Sequence, residues 1–442
     1  MFIGRTEELG FLKGAYESDR FENIVIYGRR RVGKTSLCTE FLKTRNGTYF
    51  LAQKTREQPQ ALTNKFAREK NIFPEETKTF HESFRFIKKH IKGRYVIAID
   101  EFPFLIQEDK TIPSQFQSII DEELQDTSIM LILLGSSVSI MEDEVLAHKS
   151  PLYGRRTGQM KINPFSLPEI IRFFPRKTMK ELIEIYGVLD GIPAYLNQFE
   201  QEKSTLQNIK ERILEKEQYL FEEVDFLLNQ ELREPKKYKA ILEAISKGKN
   251  RLSEIANEAG LKVTILPRYL ETLETLQIIT RKHSIHEKQM SRNTIYDFRD
   301  NFFRFYFRFI YPNLMLLEER RADVVLQEIE DGLQQYLGSV FEEVCKEYLI
   351  HTGSYRQVGS YFAKGEEIDI VGIASSHTLL GECKYKEDVE HEKVLETLQR
   401  KNHPFTGKLR YEVFAKSFKE KEQGIDLNKI YKEFAKGRTR RK

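Results

Sequence analysis

Eight residues, GRRRVGKT at 28–35, carry the first chemistry. Two glycines followed at once by Lys-Thr let a backbone wrap tightly, so that its N–H groups and a helix N-terminus face an anion. The apolar run NIVIY precedes the loop and the amphipathic SLCTEFL follows it. That is the strand–loop–helix order a phosphate-binding loop requires. The loop Gly28, Arg29, Arg30, Arg31, Val32, Gly33 and Ser36 is therefore expected to cradle the phosphates of ATP, with Lys34 reaching the β/γ-phosphates and Thr35 offering its hydroxyl to Mg²⁺. Such a loop needs an acidic partner at the end of another parallel strand. RYVIAIDEFPFL (94–105) supplies Asp100 and Glu101 directly behind YVIAI. Asp100 would hold Mg²⁺ through water, and Glu101 would orient or deprotonate the attacking water. A third strand, IMLILLGSSVSIM (129–141), ends in Ser136 and Ser137. Either could meet the γ-phosphate or the attacking water, or cap the next helix.

A second constellation lies near the C-terminus. Glu382 and Lys384 sit two apart in the strand HTLLGECKYKED (377–388), so they share one face. The preceding strand, EEIDIVGIA (366–374), carries Asp369, and the short turn SS makes the two strands a hairpin. The amphipathic helix YLGSVFEEVCKEYLIHTG (336–353), closing at Gly353, offers Glu342 or Glu343. Carboxylates and a lysine at buried strand positions are costly without compensation. Mg²⁺ held by Asp369, Glu382 and the Cys383 carbonyl would provide it, since hard cations take oxygen ligands. Lys384 would then position or activate a water, or stabilise charge developing on a scissile phosphate. A metal-free salt bridge between Glu382 and Lys384, with Asp369 accepting backbone hydrogen bonds, is the alternative reading.

The elements that must position these groups need several domains, because 442 residues exceed one ordinary core. Four βα units, with TYFLAQ (48–53) as a further strand, make residues 1–165 a doubly wound α/β domain whose site lies at the strand C-termini. Residues 233–300 read as a winged helix-turn-helix: helices at 235–249 and 251–261 (Ser253 as cap, Gly260 as stop), a recognition helix within 262–279, and a β-wing over 280–298. Its expected core is Ile255, Ala256, Leu261, Leu266, Leu270 and Leu273. Residues 236–292 hold twelve Lys or Arg against six Glu, on a chain whose net charge is +4. That local excess points to DNA, with Lys262 and Arg268 near phosphates and Lys282, His283 or Lys288 on the wing, although Glu271 and Glu274 would repel them. Packing between domains is the equal alternative. FFRFYFRFIYP (302–312) reads as a core helix with Arg304 and Arg308 on one face. Residues 301–332 then connect to an α-β-β-α-β domain at 333–442, whose last helix is HEKVLETLQRK and last strand LRYEVFAKS. The terminal KGRTRRK reads as a solvated tail or a nucleic-acid arm. Three cysteines without metal spacing, the absence of an apolar leader and no membrane-length run point to a reduced, cytoplasmic protein.

FIGRTEEL (2–9), GRRRVGKT, IDE, LLGSS and YGRRTGQMKINPFSLPE (153–169), in that order, resemble the archaeal-type AAA ATPases, close to the signal-transducing branch of P-loop ATPases. The resemblance covers roughly residues 1–230. It implies that Ile3, Gly4 and Arg5 pack beside the adenine and that residues 166–232 form a helical lid. Pro193 in YGVLDGIPAYL would contact the base. Arg155 or Arg156 would sense the γ-phosphate, and self-association would follow if that arginine acts across subunits. Residues 333–420 resemble the PD-(D/E)xK nuclease fold: a strand aspartate, here Asp369 preceded by Ile368 rather than proline, followed by E-x-K on the next strand. That resemblance implies Glu342 as a further metal ligand. The expectation is an ATP-driven switch acting on DNA with a Mg²⁺-dependent nuclease tail. The alternative is a regulatory ATPase whose C-terminal domain binds nucleic acid or protein without cleaving it.

Overall fold

The computed structural model describes residues 2–55, 57–286, 294–363, 365–420 and 423–436. The chain divides into two units, Met1–Pro164 and Phe165–Lys442. In the first, β1 (Glu22–Tyr27), β2 (Gly47–Leu51), β3 (Tyr95–Asp100), β4 (Ile129–Gly135) and β5 (Gly158–Lys161) form one sheet in the order β2-β3-β4-β1-β5. Every pairing is parallel. β1, β3 and β4 are buried along their whole length, which is why they read as apolar runs rather than alternating patterns. The sequence reading lacked β5. Its residues, GQMK, contain no β-branched side chain, and the strand is half-exposed. The strand order sets β4 between β1 and β3, so the loops that follow all three converge at one end of the sheet.

The second unit opens with the helices Leu167–Phe173, Met179–Leu189 and Pro193–Leu196. The Asp190-Gly191 turn has a structural task. A Cβ at Gly191 would lie 1.9 Å from the Phe165 carbonyl oxygen. The buried Asp190 carboxylate accepts from the Asn301 N–H at 3.0 Å.

Helices Pro235–Ser246, Leu252–Glu258 and Leu266–Thr275 precede an antiparallel pair, β6 (Ile279–Lys282) and β7 (Ile295–Phe298). Ile255, Ala256, Leu266, Leu270 and Leu273 are fully buried. Leu261 is only half-buried. Ser253 does not cap the second helix: Arg251 is the N-cap, and Ser253 sits inside the first turn. The third helix starts at Leu266 because Pro267 belongs in a first turn. Val263 and Ile265, just before it, are exposed.

Lys282 is a clear correction. Instead of facing solvent on a wing, its ammonium lies 2.6 Å from Asp297 and 3.1 Å from Glu343. Arg304 joins the same network at 3.3 Å from Asp297, and its guanidinium also reaches the Phe298 carbonyl at 2.6 Å. Residues 302–312 are not one regular helix carrying both arginines alike. An α-turn, Asn301–Phe305, runs into a π-turn, Tyr306–Ile310. Arg304 is buried by its acidic partner, whereas Arg308 is exposed. Lys288 and residues 437–442 of the basic tail lie outside the described residues.

One helix, Ala322–Thr352, runs through the boundary expected at 332–333 and ends, as read, at Gly353 with φ 63°. Behind it, β8 (Gln357–Ala363), β9 (Glu366–Ile373), β10 (Thr378–Lys384) and β11 (Leu409–Ala415) form a sheet ordered β11-β10-β9-β8. β8, β9 and β10 are antiparallel neighbours, while β11 lies parallel to β10 after the helix His391–Gln399. The expected α-β-β-α-β order therefore gains a strand, β8, and a last helix, Leu427–Ala435. QVGSYFA lacks the apolar density that marks its neighbours.

Candidate functional site

The loop after β1 bends through Gly28 (φ 149°), Arg31 (φ 69°) and Gly33 (φ 92°) into the helix Lys34–Leu42. Left-handed turns of this kind aim successive N–H groups at one point. Lys34 is buried, and its ammonium donates to the Gly28 and Arg29 carbonyls at 2.8 and 2.9 Å. Thr35 and Ser36 are exposed at the helix start, and Val32 is buried beneath the loop. Arg5, in a left-handed conformation (φ 58°) beside Gly4 (φ 70°), is buried and donates to the carbonyls of Val32 (2.9 Å) and Asn163 (2.6 Å). Ile3 is half-buried next to it. Arg5 thus ties the N-terminal segment to the underside of the loop.

The acidic partners meet this loop. The Thr35 hydroxyl donates to Asp100 Oδ2 at 2.5 Å, and the Tyr49 hydroxyl donates to the same oxygen at 2.7 Å. The Glu101 N–H donates to Asp100 Oδ1 at 2.8 Å. Tyr49 comes from β2, and nothing in the sequence singled it out, because a strand tyrosine ordinarily reads as core. Burial and the adjacent Asp100 push its phenol above the ordinary value, so it stays a donor. Glu101 is itself left-handed (φ 54°). Its carboxylate accepts from Ser136 at 2.7 Å, and Arg30 lies 3.8 Å away. Of the two serines, Ser136 faces the acidic pair, while Ser137 makes no side-chain cap bond to the helix it precedes. A hydroxyl and two carboxylates are hard oxygen donors, the set Mg²⁺ prefers.

Arg155 and Arg156 are not brought to this loop. They precede β5, whose Gly158 pairs with Ile24 near the start of β1, whereas Gly28 follows the end of β1. Four residue steps at roughly 3.3 Å each, about 13 Å of strand, separate those two points. Arg155 pairs with Asp121 at 2.9 Å, and Arg156 donates to the Leu146 carbonyl at 3.0 Å. Pro193 is half-buried at the start of its short helix in the second unit.

In the C-terminal sheet the hairpin brings the expected residues together. Glu382 is buried, and Lys384 reaches its Oε1 at 2.8 Å. Asp369 Oδ2 accepts the Cys383 N–H at 2.8 Å. Burial, and then the neighbouring Glu382, raise the Asp369 carboxyl above its usual range. Burial and Asp369 push Glu342 up to about 7. Glu343 points elsewhere, to Lys282 and Lys346. Lys401, just beyond the His391–Gln399 helix, was missed. Its ammonium lies 2.7 Å from Glu382 Oε2 and 2.6 Å from the Glu367 carbonyl. A lysine closing a charged helix carries no sequence signal of its own. Among the described residues, the one trio of His, Cys, Asp or Glu ligand atoms drawn within 4.8 Å of one another is His81, Glu122 and Glu123, where Arg85 and Lys88 already pair with Glu123. The Glu342, Asp369 and Glu382 oxygens are less tightly gathered, and the two lysines supply the compensating charge. Their chemistry fits a hard divalent cation.

Comparison with known proteins follows the same division. The profile of an ATPase domain predominantly from Archaea matches residues 2–199, and that of archaeal and bacterial proteins of unknown function matches residues 306–427. The uncharacterized protein MJECL04 of Methanocaldococcus jannaschii is 40% identical over 415 residues, covering 91% of this chain and 92% of that protein. The uncharacterized ATP-binding protein MJ0423 of the same organism is 47% identical over 45 residues, 10% of this chain and 76% of that one. Among solved structures, the Walker-type ATPase PABY2304 of Pyrococcus abyssi aligns with a TM-score of 0.52 and 23% identity, covering 70% of this chain and 96% of that one. Among the described residues, no helix is long and apolar enough to cross a membrane.

Proposed function

The chain belongs to the same family as the MJECL04 protein of Methanocaldococcus jannaschii, and from its N-terminal ATPase domain, of a kind found predominantly in Archaea, we propose that it is an ATP-driven switch acting on DNA through its C-terminal half. The observation that carries the reading is the convergence of Lys34, Thr35, Asp100, Glu101 and Ser136 at one end of a parallel sheet. Mg²⁺ would supply positive charge against the negative charge that develops on the phosphates. Thr35 and Asp100 would hold it, with Tyr49 and the Glu101 N–H fixing the carboxylate. The loop N–H groups and Lys34 bind the phosphates, while Ile3, Gly4 and Arg5 border the base. Glu101 leaves Ser136 and takes a proton from the attacking water, and the freed Ser136 hydroxyl turns to the γ-phosphate. Arg155 and Arg156, at the far end of the sheet, serve the nucleotide of a neighbouring copy.

The C-terminal cluster supports Mg²⁺-dependent phosphodiester cleavage, with Asp369, Glu382 and Glu342 as ligands and Lys384 beside the attacked phosphate. The helices within 235–275 and the paired strands Ile279–Lys282 and Ile295–Phe298 support a winged-helix reading that leaves Lys262 and Arg268 exposed to DNA. A second reading, in which that module packs rather than reads DNA, is favoured by the half-buried pairing of Lys282 with Asp297 and Glu343. The test is cleavage of plasmid and oligonucleotides with Mg²⁺ or Mn²⁺, with and without ATP. Loss in Asp369→Ala assigns cleavage to the cluster, and loss of ATP dependence in Lys34→Ala couples it to the front. Intact ATP binding with no cleavage under any condition replaces the nuclease reading with a binding module.

A further inference from the structure

Glu382 is the most confined carboxylate of the C-terminal cluster, its side chain 11% exposed, and both of its oxygens are taken by ammonium groups. The two lysines are not equivalent. Lys384 projects from the same strand and is 39% exposed, at the mouth of the cluster. Lys401 arrives from a different element, is 19% exposed, and is tethered by a second hydrogen bond to the Glu367 carbonyl of β9. Its ammonium therefore spans β9 and β10, the two strands that bear Asp369 and Glu382. A compact, strongly donating cation between two acid-bearing strands does what a divalent ion there would do.

We propose that Lys401 is the resident occupant of the cation position: it holds Glu382 while no divalent ion is bound, and cedes Oε2 when one enters. This rests on the reading of Asp369 and Glu382 as metal ligands. Three features argue for exchange rather than a permanent brace. Each Glu382 oxygen already accepts from an ammonium, so a divalent ion placed between β9 and β10 meets the Lys401 charge at Oε2 and is repelled by it until that ammonium moves. Lys384 is anchored two residues from Glu382 on the same strand and holds the other oxygen, Oε1, at the exposed mouth of the cluster. Lys401 sits just beyond a helix on a flexible four-carbon stem, so it can cede Glu382 Oε2 while keeping its hydrogen bond to the Glu367 carbonyl. Its charge then remains beside the cluster, available to a phosphodiester oxygen.

The experiment is Mn²⁺ binding to the nucleotide-free full chain, followed by the paramagnetic signal of free Mn²⁺, with Asp369→Asn subtracted to isolate this site. Lys401→Met and Lys401→Gln should both tighten Asp369-dependent binding by about tenfold, the scale on which partners of a ligating group act. Lys401→Arg, which keeps the charge, should stay near wild type. The glutamine variant can still donate to the Glu367 carbonyl, so it covers the case in which methionine unsettles the fold. Asp369-dependent binding that is unchanged or weaker in both neutral variants overturns the proposal and makes Lys401 a brace, with the metal reading intact. No Asp369-dependent binding in any variant overturns the metal reading and this proposal with it.

Discussion

Asp100 accepts from Thr35, Tyr49 and the Glu101 N–H, so most of its lone pairs are committed before any ligand arrives. Tyr49→Phe removes one donor without a cavity. It should raise the Mg²⁺ concentration for half-maximal ATP hydrolysis by about tenfold or more, roughly 1.5–3 kcal/mol for one hydrogen bond to a charged group, with little change in melting temperature. Glu101→Gln keeps the shape and loses the base, so ATP binding should persist while turnover falls by about 10²-fold or more. Asp100 and Glu101 were legible as candidates because a phosphate loop calls for an acidic residue at the end of another parallel strand, and this pair follows it at a suitable distance. Tyr49 and Lys401 were not, since each acts through a partner that only the folded sheet brings near.

At the scale of elements, the Lys282–Asp297–Arg304–Glu343 network ties the β6–β7 hairpin to the long helix. Burial raises the Asp297 carboxyl, but Arg304 and Lys282 outweigh it and hold it below the ordinary 3.8. A depressed carboxyl contributes stability that is present above that value and lost as pH falls through the folded one. Asp297→Ala should therefore destabilise the protein by roughly 2–3 kcal/mol at neutral pH and flatten its acid unfolding below about pH 4. The same network separates two kinds of lysine. Lys262→Ala with Arg268→Ala should weaken duplex binding and lower its salt slope by about two, whereas Lys282→Ala should lower the melting temperature and leave the slope unchanged. An unchanged slope in the double variant would remove the DNA role of the third helix. The helices and hairpin were legible from apolar spacing and turn residues. The pairing of Lys282 was not, because its partners Asp297 and Glu343 lie 15 and 61 residues away.

For the whole molecule, the class of the first unit followed from its apolar runs and phosphate loop, but strand order did not: β4 between β1 and β3 is a long-range choice that no local pattern encodes. Arg155 and Arg156 precede β5, which runs parallel to β1, and so lie at the end of the sheet away from the loop of their own chain. Mixing Lys34→Ala protein with Arg155→Ala/Arg156→Ala protein should therefore restore part of the ATPase activity that each lacks alone. Two inactive proteins that stay inactive together would confine the arginines to structural pairing with Asp121 and Leu146. The unbroken Ala322–Thr352 helix was hidden by its own charge, which reads as a linker up to residue 332 and as a domain beyond it.

The most direct measurement is ATP turnover by the full chain with and without duplex DNA, beside Lys34→Ala and Glu101→Gln. The account predicts Mg²⁺-dependent hydrolysis that DNA alters in the wild type, no nucleotide binding in Lys34→Ala, and binding without turnover in Glu101→Gln. Hydrolysis that survives Glu101→Gln, or that DNA leaves unchanged, would contradict it.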